Sequence, residues 1–394
     1  MGGILEGIRV LDFGRYIAGP YCATLLAEFG ADVIRVERRA GSEDRYVTPV
    51  GEDGAGALFL QVNRNKKSVT LDPMKPEGQE VLKKLVATAD VVVANLPKQT
   101  LEAMKLDYDS LCAIKPDIIL TTANAFGDTG PWSDRVGFDG VGQVMSGAVY
   151  MTGNGDPPFR AAVNYVDFGT ALHCAFGTLA ALMERQKSGK GQIVQGALLA
   201  TALSFTNATL IEQAVISANR VPTGNLGQTT APSDIYRAKD GWVLTQVTGQ
   251  PLFNRWAKLM GEDHWLTDPR YDDDLKRGEN GPVISERMGR WCAERTVQEA
   301  VDTLGKAQIP AAPVLSPQAA LDHPHVQAGG FMQEMDYPGL PRPAPISRVA
   351  LKLSRTPGEI HHRAPVLGEH TQDVLGSLGY DEAAIAALRE KGVV

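Results

Sequence analysis

Cysteine is scarce in this chain and does not pair by pattern: Cys22, Cys112, Cys174 and Cys292 lie far apart, with no CxxC and no histidine at ligand spacing. A disulfide framework and a zinc site are therefore not expected, and two of the four fall in apolar helical patterns, as buried thiols do. Long hydrophobic runs are also missing. The most apolar stretches, around 168–183 and 196–217, are short or interrupted by His173, Asn207 and Glu212, so neither reads as a membrane span. No basic segment followed by an apolar one opens the chain, so no signal peptide is expected, and a cytoplasmic location is. Positive charge is not in excess: the net charge is -7 and the isoelectric point near 5.6, which argues against nucleic acid as a partner. Walker, GxSxG and HExxH sequences are absent.

What is present is an ordinary globular composition, 43% hydrophobic and 22% charged, over 394 residues, enough for two domains. Residues 8–13 read as a strand, 14–20 as a turn with Pro20 at a helix start, 21–29 as a helix closed by Gly30, and 32–37 as a second strand. That is a βαβ unit. The pattern repeats with a strand at 68–71, a helix at 76–88, a strand at 90–94, short helices at 101–104 and 108–113, and a strand at 117–121. Such alternation predicts an open, parallel, Rossmann-like α/β sheet with helices on both faces, and ligands at the carboxyl ends of its strands. Those ends are 13–17, 38–39, 71–74, 95–97 and 123–126. Helices at 168–186 and 192–217 follow, and then the texture changes. Residues 219–235 read as loop, 241–247 as a strand, 251–260, 282–295 and 297–307 as helices, and proline-rich 310–317 as a linker or edge strand. The organisation expected is a large Rossmann-like domain over 1–219 and 326–394 and a smaller α+β domain over 220–325.

Among the residues that could carry chemistry, Asp167 stands out, because it precedes a small-residue, apolar helix at 170–183. A carboxylate there suits an N-cap. It also suits a nucleophile, held ionised and oriented by helix amides and the helix dipole. The local sequence leaves both readings open. Gly14 and Gly19 flank the first turn but do not make GxGxxG, and Pro20 removes an amide that a phosphate would use. Glu37 mimics a ribose-binding acid, yet Arg38 and Arg39 follow it directly. Those arginines, with Arg64, Lys66 and Lys67, are candidates to grip a phosphorylated ligand.

In order along the chain stand GIRVLDF at 7–13, AGP at 18–20, LLAEFGADVIRVER at 25–38 and NKKSVTLD at 65–72. AFGDTGP at 125–131, GFDGVGQ at 137–143, NYVDFG at 164–169, RQKSGKGQ at 185–192, DGW at 240–242 and PVLGEH at 365–370 complete the series. Taken together they resemble the class III CoA-transferases of the CaiB/BaiF type. The resemblance implies an interlocked homodimer and no permanently bound cofactor, with coenzyme A and acyl-CoA as substrates. It implies that Asp167 is the nucleophile, passing through a mixed anhydride and an aspartyl-CoA thioester to a carboxylic acid acceptor. It places CoA against Ile17, Ala18, Arg38, Leu71, Asp72, Pro73, Met74, Asn95, Leu96, Pro97, Ala103 and Met104, and puts Tyr16, Phe138 and Asp139 at the acyl pocket.

Racemases of the same fold need a second acid/base group, a histidine where this chain has Phe138, which cannot carry a proton. Transfer is the expected reaction. Other departures narrow it. Formyl-CoA transferases carry Gln where this chain has Ile17 and a glycine run near 225–230, so formyl transfer is not expected. Ala103 replaces an arginine that some members use for CoA phosphates. His173 and Cys174 read as core, and His370 only marks the tail. No arginine pair identifies a particular acid.

Overall fold

The computed structural model describes residues 3–51 and 55–394, which form two compact units. The first takes in Met1–Ser146, Ala161–Ile211 and Gln327–Val394, and the second Gly147–Arg160 and Glu212–Val326. Residues 147–160, read from the sequence as part of the large domain, thus cluster with the second unit.

In chain order the elements are β1 (Arg9–Asp12), α1 (Ala18–Glu28), β2 (Asp32–Glu37), α2 (Ala57–Val62), β3 (Lys66–Thr70), α3 (Pro76–Ala87), β4 (Val91–Ala94), α4 (Lys98–Met104), α5 (Tyr108–Ile114), β5 (Ile119–Asn124) and α6 (Asp139–Met145). They continue with α7 (Ala148–Met151), α8 (Tyr165–Ser188), β6 (Ile193–Ala197), α9 (Leu198–Ile216), β7 (Ser233–Arg237), β8 (Trp242–Gln246), α10 (Gln250–Met260), α11 (Asp274–Glu279), α12 (Gly281–Ala293) and α13 (Val297–Lys306). The last are β9 (Ala311–Pro313), α14 (Pro317–Asp322), α15 (Pro324–Gly329), β10 (Met332–Met335), β11 (Ala344–Ser347), α16 (Thr371–Ser377) and α17 (Glu382–Glu390).

The first unit is built on a parallel sheet of order β3-β2-β1-β4-β5-β6. Its central strands are near-continuous apolar runs because both faces are covered. On one face Leu11, Ile34, Val69 and Val92 pack with Leu82 and Leu85 of α3 and with Val374, Leu375 and Ile385 of the tail helices. On the other, Val10, Val33, Val91 and Ile119 meet Ala23 and Leu26 of α1 and Ala171, Cys174 and Ala175 of α8. The chain runs outward from β1 through β2 to β3, then returns to β4 on β1's other side. The carboxyl ends of β1 and β4 therefore flank a topological switch point, where open α/β sheets bind ligands.

By length and hydropathy α8 could cross a bilayer, but more than half of its most apolar window is buried inside the protein, as in a core helix. Its other side leaves Leu172, Phe176, Leu179 and Met183 exposed, at the 4-3-4 spacing of a helix-packing seam. His173, read from the sequence as core, is on that exposed side too, while Cys174 is buried.

The sequence reading ran one helix over 192–217. Residues 193–197 instead form β6, because β-branched Ile193 and Val194 extend the sheet beside β5 before the helix starts at Leu198. In the second unit, β7 falls partly in the stretch read as loop, and β9 is the edge strand of the antiparallel sheet β7-β8-β9. That sheet packs with α10, α12 and α13 around Phe253, Trp256, Trp265, Tyr271, Met288 and Leu304.

Candidate active site

The turn from β1 to α1 is folded on itself by its glycines. A Cβ on Gly14 would lie 2.6 Å from Pro20 Cδ, and one on Gly19 would lie 3.0 Å from Gly14 Cα. Tyr16 is left-handed (φ 59°), and its N–H donates to Asp44 Oδ2 at 3.1 Å. Beneath the turn lies a buried network of charges. Arg35 donates to both oxygens of Asp44 at 3.0 and 2.8 Å and to Gly14 O at 3.3 Å. Lys66 Nζ donates to Asp12 Oδ2 and Pro20 O, each at 2.7 Å. Arg45 holds Glu37 through two bonds, 2.9 and 2.6 Å. Burial works to raise the Glu37 carboxyl, but Arg35 and Arg45 outweigh it and hold the pKa at about 2. Burial pushes Lys66 down to about 8, against the pull of Asp12.

This network bears on residues singled out in the sequence. Glu37 is engaged by Arg45 and is not free for a ribose. Arg64 and Lys66 are buried and paired with Glu28 and Asp12, so they grip the protein rather than a phosphate. Lys67 pairs with Asp32 at the amino-terminal edge of the sheet, away from the strand ends that bind ligands.

At the carboxyl ends of β1, β2 and β3 is a cleft of about 380 Å³. Arg38, Leu71, Asp72, Pro73, Met74, Ala103 and Met104, all named from the sequence, line it together. Arg38 is exposed and donates to Gly41 O (2.7 Å) while pairing with Glu43 (2.5 Å). Asp72 Oδ1 accepts the Met74 N–H at 3.0 Å. The other named residues are placed differently. Ile17 and Ala18 are buried at the start of α1, Leu96 packs on the core, and Pro97 is the exposed N-cap of α4. Asn95 is a brace, its Oδ1 accepting Arg15 N–H (2.6 Å) and its Nδ2 donating to Arg15 O (2.8 Å). Arg15, Gln99 and Thr100 line the cleft as well. Arg15 falls within the strand end 13–17, whereas Gln99 and Thr100 belong to no patterned motif.

Asp167 is the third residue of α8 and not its cap. The N-cap position is Asn164, whose side chain makes no capping bond. The cap comes from another helix: Asp139 Oδ1, in the first turn of α6, accepts the N–H groups of Val166 (2.8 Å) and Asp167 (3.0 Å). Asp139 Oδ2 accepts from Gln143 Nε2, and Gln143 Oε1 accepts the Ala161 N–H at 2.9 Å. Gly142 lets α6 lie close against α8, since a Cβ there would stand 2.8 Å from Val166 Cγ1. Asp167 is 8% exposed, and burial followed by the Asp139 carboxylate raises its pKa to about 7, with the Asp139 backbone N–H pulling the other way. Of the helix amides that could hold Asp167 ionised, those of Val166 and Asp167 itself are taken by Asp139, and the one that acts on its carboxylate is the Asp139 N–H, the first of α6.

Tyr16 and Phe138 meet edge-to-face with ring centroids 5.4 Å apart. That contact joins the turn beside the cleft to the residue preceding Asp139, so the three acyl-pocket residues named from the sequence form a chain of contacts that ends at Asp167. Phe138 is 65% exposed. Among the described residues no group of three or more His, Cys, Asp or Glu side chains is arranged to hold a metal ion.

The model of CoA-transferase family III matches residues 5–371. The chain belongs to that family. It is 33% identical to a succinyl-CoA–D-citramalate CoA-transferase of Chloroflexus aurantiacus over 99% of this chain and 98% of that protein. Identity is 34%, with the same coverage of each, to the beta subunit of a succinyl-CoA–L-malate CoA-transferase of that organism. It is 31% to a formyl-CoA:oxalate CoA-transferase of Rhodopseudomonas palustris, over 99% and 97%. The crystal structure of a CaiB/BaiF family protein from Brucella suis superposes with a TM-score of 0.83 at 28% identity, covering 96% of this chain and all of that one. The protein is thus a transferase that acts on CoA thioesters. The family's α/β architecture accounts for the parallel sheet.

Proposed function

We propose that this transferase moves CoA from an acyl-CoA to a carboxylic acid through covalent intermediates on Asp167. The observation that carries this reading is a carboxylate 8% exposed, making no ion pair among the described residues, linked by contacts through Asp139, Phe138 and Tyr16 to the turn beside the strand-end cleft. An Asp167 oxygen attacks the thioester carbonyl, the C–S bond breaks, and CoA leaves as thiolate, giving a mixed anhydride. The thiolate attacks the Asp167 carbonyl, expelling the first acid as its carboxylate and leaving an aspartyl-CoA thioester. The acceptor carboxylate attacks that thioester and releases the thiolate, which then takes the new acyl group and frees Asp167. One thioester is exchanged for another, so the sequence needs no ATP and gains no net proton. With a pKa of about 7, an appreciable fraction of Asp167 is ionised at neutral pH, and a poorly solvated carboxylate is the more reactive one.

In this reading the nucleotide half of CoA lies in the cleft with Arg38, Leu71–Met74, Ala103 and Met104, while Ile17, Ala18 and Asn95–Pro97 shape the adjoining strand ends. Tyr16, Phe138 and Asp139 border the acyl group. Phe138 offers no second acid/base group, which argues against racemisation. The exposed seam of α8 is a surface that a second copy would cover, consistent with the interlocked homodimer the family resemblance implies. Succinyl-CoA, named for two of the relatives, is the first donor to try. The test is CoA transfer from a donor set to a panel of carboxylic acids, with wild type and Asp167→Asn side by side. Loss of at least about 10³-fold in the variant supports the reading. Transfer at wild-type rate in Asp167→Asn overturns it.

A further inference from the structure

We propose that Arg15 is a phosphate ligand for the nucleotide half of CoA, a deepening that rests on the CoA-transfer reading. The other buried guanidiniums around this turn are paired: Arg35 with Asp44, Arg45 with Glu37, Arg64 with Glu28. Arg15 is partly buried beside them, lines the cleft, and makes no ion pair among the described residues. Its guanidinium donates to Ser42 Oγ at 2.6 Å, and that hydroxyl passes on to Glu37 Oε1 at 3.1 Å. Burial, then the neighbouring Arg35, works against its charge; Asp44, Glu37 and Glu43 pull the other way without outweighing them. None of the three is in ion-pair contact with it, so an anion in the cleft would favour the charged form. The carboxylates of the lining make no direct pair with Arg15. Glu37 is held by Arg45, and Asp72 is turned to the Met74 N–H. Of the cleft's two arginines, Arg38 is already paired with Glu43, which leaves Arg15 to recognise a phosphate through its planar fork. The backbone that carries it is also held in place, since Asn95 clamps both the N–H and the carbonyl of Arg15.

Because that clamp uses only backbone atoms, Arg15→Gln leaves it intact. The experiment is calorimetric titration of wild type, Arg15→Gln and Arg15→Lys with CoA, 3′-dephospho-CoA and pantetheine, with thermal unfolding as a check that each variant is folded. Arg15→Gln is expected to weaken CoA binding roughly 10- to 100-fold and leave pantetheine unchanged, with Arg15→Lys in between. A loss shared by 3′-dephospho-CoA puts the diphosphate at Arg15, and a loss confined to CoA puts the 3′-phosphate there. Either outcome supports the assignment. Wild-type affinity for CoA in Arg15→Gln overturns it, as does an equal loss for pantetheine. Should Arg15→Gln not fold, Arg15→Lys against wild type makes the same comparison. Failure of the wild type to bind CoA overturns the transfer reading, and the Arg15 assignment with it.

Discussion

One oxygen of Asp139 accepts the backbone N–H groups of both Val166 and Asp167, at 2.8 and 3.0 Å, so the aspartate of one helix occupies the terminus on which the other aspartate stands. Two consequences follow for Asp167. Two amides at its own helix start are taken from it, leaving the Asp139 N–H, and it gains a neighbouring negative charge. Asp139→Asn keeps an acceptor for the two amides and removes the charge. The acid limb of kcat/KM, expected near pH 7 in the wild type from the raised Asp167 pKa, should then move to lower pH. A limb that stays in place would show that Asp139 does not act on Asp167 through charge.

The raised pKa also has a sign for stability. An Asp with a folded pKa near 7 and an ordinary value of 3.8 binds its proton more tightly when folded. Its contribution is neutral below the ordinary value, turns unfavourable as pH rises through the window between the two, and is fully unfavourable above pH 7. Asp167→Asn should therefore raise the thermal midpoint by roughly 2–6 °C at pH 8 and by much less near pH 4, measured by scanning calorimetry. Equal effects at both pH values would contradict the raised pKa.

Beneath the first turn, removing one cation should cost far more than a surface charge would. Arg35→Met leaves Asp12, Glu37 and Asp44 buried with one positive partner fewer. The expected loss is about 3–5 kcal/mol, read from urea unfolding. In the wild type, Glu37 is depressed to about 2 from 4.5, so its contribution is present above pH 4.5 and is lost as pH falls towards 2. Acid unfolding of the wild type should fall in that window.

The seam on α8 makes a prediction about assembly. Phe176 is 75% exposed and sits mid-stripe between Leu172 and Leu179. If a second copy covers it, wild type sediments as a dimer and Phe176→Glu shifts the population to monomer or aggregate. A monomeric wild type would remove the role given to this surface.

Much of this was legible in the sequence, and the gaps have physical reasons. The strands of the parallel sheet were visible because burial on both faces makes them apolar runs bounded by turn residues, as at 32–37, where prediction and strand coincide. Edge strand β6 was not, because Ile193 and Val194 flow without a break into the apolar face of α9. Asp167 was legible as a residue at a helix start. That Asp139 caps that helix from 28 residues away was not, since a tertiary cap leaves no local pattern. Basic residues told least: Arg38, Arg64 and Lys66 look alike in sequence, and only the fold separates an exposed strand end from a buried ion pair.

Covalent chemistry at Asp167 is what the transfer mechanism requires above all. Wild-type protein incubated with a productive acyl-CoA and then trapped with hydroxylamine or borohydride should yield, by peptide mass spectrometry, a hydroxamate or reduced side chain at Asp167. Untreated protein and protein without acyl-CoA should yield neither. An active preparation in which Asp167 remains unmodified under trapping would contradict the mechanism.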